Sequence, residues 1–164
     1  MDWDLPQPFV WSVQVPPSAI DIMGHVNNVQ YLQWLERCAW EHTQHLGLSW
    51  ERYQELGCGV VAIRHEIDYL RPAFASEVLE VGTWCTANDG RLRLRRQYQI
   101  IRPADGSTLV RAQTDWVCVD LASGRPRRMP DEFKTAYRPV STPEVASGDR
   151  LEDEQGPQDT PAGP

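Results

Sequence analysis

The sequence predicts an α+β domain in which one long helix packs against an antiparallel sheet of about five strands. One stretch near residue 30 has apolar positions that step by three and four, and from Gly59 onward four runs alternate apolar with polar residues between turn signals. Strands joined by short turns, after the helix and not between helices, make hairpins and not parallel crossovers.

The elements follow in order. Phe9, Trp11, Val13 and Val15 alternate with Val10, Ser12 and Gln14, a strand with one face on a core, and Pro16-Pro17 ends it. Asn27 then precedes Tyr31, Leu32, Leu35, Cys38, Ala39, His42 and Leu46, one stripe of an amphipathic helix that Gly47 terminates. Asn27 with Gln30 has capping-box spacing, so Asn28 is the first helical residue and its N–H is unused by the helix. A shorter helix is expected from Ser49 to Leu56. Strands are expected over Val60 to Tyr69, Val78 to Thr86, Leu92 to Ile101 and Leu109 to Asp120. Arg71-Pro72-Ala73, Asn88-Asp89-Gly90 and Ala104-Asp105-Gly106-Ser107 divide them, and Ser123-Gly124-Arg125-Pro126 closes the sheet. One helix covers one face of such a sheet, so the other face is expected to be polar or buried by a second subunit.

The 164 residues are 41% hydrophobic with a formal charge of −7, the size and balance of one globular domain. From Ser141 on, six acidic residues face only Arg150 among many prolines and glycines, a composition that cannot offset the entropy of ordering. The expected organisation is therefore a domain over 1–140 and a disordered acidic tail over 141–164. An acidic N-terminus and the lack of an apolar run near 20 residues point to a cytoplasmic protein with no membrane partner. The acidic balance argues against nucleic acid as a partner. Cys38, Cys58, Cys85 and Cys118 form no Cys-x-x-Cys pair and read as buried apolar residues. His42 and His45 lie three apart on the helix, but nothing completes a metal set with them.

Chemistry concentrates in Asp21-Ile22-Met23-Gly24-His25-Val26-Asn27-Asn28-Val29-Gln30-Tyr31, a carboxylate in a loop that runs into a helix N-terminus. Such a terminus carries about half a positive elementary charge and free N–H donors, which suit the oxyanion of an attacked carbonyl. This string resembles the hot-dog-fold thioesterases, in particular the branch of 4-hydroxybenzoyl-CoA thioesterase-like acyl-CoA thioesterases and acyl-acyl-carrier-protein thioesterases. The resemblance runs from about Phe9 to Pro130 and includes Ile67-Asp68-Tyr69-Leu70-Arg71-Pro72-Ala73 and Asp120-Leu121-Ala122-Ser123-Gly124-Arg125-Pro126.

The resemblance implies a hot-dog fold, a long central helix wrapped by a curved antiparallel sheet. It implies an acyl-thioester hydrolase acting on acyl-CoA or acyl-carrier protein without metal or organic cofactor, as a homodimer or homotetramer with the acyl tunnel at the subunit interface. Asp21 falls on the family's loop carboxylate, as general base or nucleophile, and Asn28 on the position whose backbone N–H polarises the thioester carbonyl. Gly24 and His25 shape the loop, and His25 matches a functional histidine of the plant-type carrier-protein enzymes. Those enzymes carry an Asn where this chain has Met23 and a Glu where it has Pro72, and other bacterial branches have His or Tyr where it has Asn28.

Beside these stand plainer readings: Asp21 as a turn residue, Gly24 as a left-handed turn, Asn27 as a helix cap. Tyr31 and Trp34, one turn along the helix, are candidates to line the acyl pocket. Arg91, Arg93 and Arg95, alternating on one strand face, are candidates for the phosphates of coenzyme A, with a solvated sheet face as the alternative. A non-catalytic acyl-binding module and a hot-dog hydratase or dehydratase are the alternative functions.

Overall fold

A computed structural model describes residues 1–140; the segment 141–164, expected to be a disordered tail, lies outside the described residues. The chain forms β1 (Phe9–Gln14), α1 (Asn28–His45), α2 (Trp50–Leu56), β2 (Cys58–Tyr69), β3 (Val78–Asn88), β4 (Arg93–Arg102), β5 (Ser107–Asp120) and α3 (Asp131–Ala136). The five strands make one antiparallel sheet in the order β1-β3-β4-β5-β2. β2 therefore lies at an edge beside β5, and among the described residues its other edge is unpaired.

α1 lies on the inner face. Its Tyr31, Leu35, Cys38 and Ala39 share a core with Leu79, Val81, Ile100 and Val110 from the sheet. The helix starts at Asn28 as the cap predicts, with Asn27 Oδ1 accepting from Val29 N–H at 2.9 Å. The reciprocal half of a capping box is absent, because Asn27 N–H already donates to the Ala19 carbonyl at 2.9 Å. Gly47, at φ +84°, ends the helix.

A second core lies at the far end of the sheet, where Leu48, Tyr53, Leu94, Cys118, Phe133 and Tyr137 pack together. Two of these come from or directly follow α3, which the sequence reading did not anticipate. Six residues with one apolar pair three apart carry too little periodicity to register, and Pro130 at the N-cap offers no side-chain cap. The four cysteines are buried and unbridged.

The outer face differs from expectation as well. It is partly covered by the chain's own N-terminus and not left wholly polar. Trp3 meets Trp84 edge to face and sits so close to Gly82 that a Cβ there would lie 2.6 Å from its ring. Gln99, paired across from Gly82, holds Asp4 N–H and the Asp2 carbonyl, and Arg111 forms an ion pair with Asp4 at 2.6 Å. No helix among the described residues is long and apolar enough to cross a membrane.

Candidate active site

The loop before α1 is closed by an isolated antiparallel bridge between Ile20 and Val26. Inside it Asp21 N–H donates to the His25 carbonyl and Gly24 N–H to the Asp21 carbonyl, each at 3.0 Å. Gly24 has φ +81° with open space where a Cβ would stand, so backbone conformation and not crowding demands glycine. Val26 N–H donates to the Ala73 carbonyl at 2.9 Å, which ties the loop to the β2–β3 connection. Asp21 is thus fixed to the start of α1 by main-chain bonds on both sides of the loop. Its Oδ1 accepts from Met23 N–H at 2.8 Å, an Asx turn, while Oδ2 has no partner among the described residues.

At the helix start, Val29 N–H is held by Asn27 Oδ1 and Gln30 N–H by the Asn27 carbonyl, both at 2.9 Å. Asn28 N–H has no acceptor among the described residues. The first turn of an 18-residue helix therefore presents one uncommitted donor, at the positive end of its dipole. Tyr69 from the end of β2 donates its hydroxyl to the Asn28 carbonyl at 3.1 Å and steadies this turn. The His25 imidazole is half-buried and makes no hydrogen bond among the described residues.

Tyr31 and Trp34 lie in the core. Tyr31 is 3% exposed, packs edge to face on Trp34, and its hydroxyl accepts from the buried Ala73 N–H at 3.0 Å. That bond links α1 to the loop that holds Val26. Tyr31→Phe would leave the Ala73 N–H unsatisfied, an expected loss of about 1–3 kcal/mol, checked by urea melts.

A cavity of about 350 Å³ opens between α1 and the sheet, lined by Leu32, Leu35, Ala39, Tyr98, Thr114 and Trp116 among others. Neither Tyr31 nor Trp34 is among its lining residues; both are buried in the core that α1 shares with the sheet. Among the cavity's polar lining residues is Arg96, which the alternation of β4 does not single out. Arg96 is 2% exposed and donates to His42 Nδ1 at 2.7 Å and to Thr43 Oγ1 at 3.0 Å, with its guanidinium 5.3 Å from the Tyr137 ring centroid. Leu94 and Tyr98, two residues to either side and both buried, put Arg96 on the core face, the one signal that could have found it.

Burial, with Arg96 and His45 adding to it, pushes the His42 imidazole down to about 3. A histidine of the unfolded chain protonates near 6.5, so the unfolded state takes up this proton first. Stability contributed by neutral His42 is present above about pH 6.5 and is lost as pH falls toward the folded value. His42→Asn keeps an acceptor for Arg96 without that titration. Its stability should fall less between about pH 6.5 and 4 than that of the wild type in denaturant melts. His42 also stacks on Phe9 at 5.0 Å, so one face and one edge of its ring have structural partners.

The alternation expected of Arg91, Arg93 and Arg95 fails at its first member. Asp89 Oδ1 accepts the N–H groups of Arg91, Leu92 and Arg93, which holds Arg91 in the turn and delays the strand to Arg93. Arg95 is paired with Asp115 across β5 at 2.6 Å. Arg91 and Arg93 are exposed and form no ion pair among the described residues. Glu66 pairs with Arg64 on the outer face of β2.

The chain thus sets a carboxylate loop against the N-terminus of a helix that itself lies on an antiparallel sheet. The profile of the thioesterase-like superfamily matches residues 15–137, and the chain belongs to that family, with the hot-dog fold and the thioester-hydrolase class expected of it. It is 27% identical over 123 residues to the long-chain acyl-CoA thioesterase FadM of Escherichia coli, covering 74% of this chain and 91% of the relative. It is 31% identical over 117 residues to an oleoyl-acyl carrier protein thioesterase of Arabidopsis thaliana, covering 67% of this chain but 31% of that longer protein. Among solved structures, a 1,4-dihydroxy-2-naphthoyl-CoA thioesterase from Synechocystis superposes with a TM-score of 0.72 at 25% identity, over 80% of this chain and 96% of the other.

Proposed function

We propose that this chain hydrolyses acyl-CoA thioesters, with acyl-carrier protein as the alternative carrier, and that Asp21 and the Asn28 N–H carry the reaction. The observation that supports this most is the uncommitted Asn28 donor beside a loop whose carboxylate keeps one free oxygen. In the base route Asp21 takes a proton from water as the water oxygen bonds to the acyl carbon. The carbonyl oxygen gathers charge against Asn28 N–H, and the carbon–sulfur bond then breaks to give the acid and the thiol. In the nucleophile route the Asp21 oxygen bonds to the acyl carbon first, the thiolate leaves, and water cleaves the mixed anhydride. Gly24 supplies the turn, and His25 orients it through its carbonyl. The acyl-lining role expected of Tyr31 and Trp34 passes to the cavity residues of the adjacent stripe, Leu32 and Leu35 first. Arg91 and Arg93, exposed and without an ion pair among the described residues, are candidate cations for the coenzyme A phosphates.

The site is completed by a second copy of the chain. The open edge of β2, with Ile63 and Val61 exposed along it, and the exposed Ile22, Met23 and Val29 around the loop support this reading. Sedimentation at micromolar concentration should show a dimer or a larger even oligomer; a monomer with full activity would remove the interface from the proposal.

The direct test is thiol release from acyl-CoAs that range from short to long and from aliphatic to aromatic. Turnover of at least one of them is expected. A folded oligomer inert toward every acyl-CoA and every acyl-carrier protein would favour a non-catalytic acyl-binding module, a reading to which the Asx turn at Asp21 lends support.

A further inference from the structure

On the reading that this site hydrolyses acyl thioesters, we propose that it takes a long acyl chain ending in a carboxylate, which pairs with Arg96 at the buried end of the cavity between α1 and the sheet. Three observations lead there. Leu32, Glu36 and Trp40 line the cavity at successive steps of four from Asn28, and Thr43 lines it one turn further on. A chain whose carbonyl sits at Asn28 N–H therefore runs down that stripe toward Arg96. At about 1.5 Å per residue, Thr43 lies about 22 Å along the helix from Asn28, the reach of a long acyl chain and not of a short one.

The second observation is charge. Arg96 is held by a neutral imidazole, a hydroxyl and an aromatic face, and no carboxylate lies within ion-pair distance of it among the described residues. A guanidinium stays ionised when buried, and a buried cation without an anion is costly. Glu36, the carboxylate in the lining, is exposed and forms no ion pair among the described residues. The third is an unused donor in the same wall: Trp116 Nε1 is buried with no partner among the described residues. A donor without a protein acceptor, beside a cation whose partners among the described residues are all neutral, suits a ligand that brings an anionic acceptor.

The test compares kcat/KM for matched coenzyme A thioesters, hexadecanoyl against the mono-thioester of hexadecanedioic acid and octanoyl against its carboxyl-ended counterpart, in wild type and Arg96→Met. The wild type should favour the long carboxyl-ended chain by about tenfold to a hundredfold and show no such preference at the octanoyl length. Arg96→Met, at unchanged melting behaviour, should lose that preference. A wild type that prefers the methyl-ended long chain, or equally prefers a terminal hydroxyl, overturns the proposal, as does a folded Arg96→Met that keeps the preference. Calorimetric binding of free hexadecanedioate against hexadecanoate to the wild type makes the same comparison without turnover or a variant. If no thioester is cleaved, the hydrolase reading fails, and this binding comparison alone decides the Arg96 assignment: tighter dicarboxylate sustains it and equal binding overturns it.

Discussion

Asp21→Asn should lower thiol release by about 10²- to 10⁴-fold while leaving fold and assembly as they are. The substitution is chosen for what it keeps. An asparagine Oδ1 still accepts from Met23 N–H, so the Asx turn survives, and the main-chain bonds that close the loop involve no side chain. What disappears is the charge and basicity of the second oxygen, which has no structural partner among the described residues. If Asp21 were only a turn residue, the variant would retain its rate, and thiol-release assays beside thermal melts separate the two cases. A single turnover in heavy-oxygen water then tests the nucleophile route. Label incorporated into Asp21 establishes a mixed anhydride opened at the Asp21 carbonyl, whereas label in the acid alone is common to direct attack by water and to an anhydride opened at the acyl carbon.

The parts of the fold that were legible in the sequence have many residues repeating one period. Eighteen residues of α1 and the long runs of β2 to β5 repeat their pattern often enough to fix both element and face. The loop was legible for a different reason: Gly24 at positive φ, Asn27 as a cap and Asn28 as the first helical residue are local demands of backbone geometry, readable at single positions. What escaped depends on the third dimension. Arg96 broke the apolar alternation of β4 and was overshadowed by the three arginines before it, although Leu94 and Tyr98 place it on the inner face. Arg91 was assigned to a strand because spacing shows alternation but not that Asp89 gathers three successive N–H groups into a turn. Trp3 covers Gly82 from almost eighty residues away in sequence, and no local pattern encodes such a contact.

Asn28→Pro should cost about 10²- to 10³-fold in kcat with little change in stability, and it isolates one atom of the mechanism. Asn28 is the first residue of α1, where proline is well tolerated because the N–H there has no helical partner. Asn27 already has φ −61° and ψ 137°, the extended conformation that a following proline favours, so the cap on Val29 N–H is preserved. The Asn28 carbonyl remains in place to accept from Tyr69. The change therefore deletes the uncommitted donor and leaves the helix and its dipole. Asn28→Ala is the partner experiment: it removes the exposed side chain, keeps the N–H, and should turn over near the wild-type rate. The expected split, proline slow and alanine fast at matched melting temperatures, assigns the oxyanion contact to the backbone. Equal losses in both would shift it to the asparagine side chain, a position where sequences of other branches place His or Tyr. Full activity in the proline variant would mean that the carbonyl is polarised elsewhere, and the helix N-terminus would then serve the loop's geometry alone.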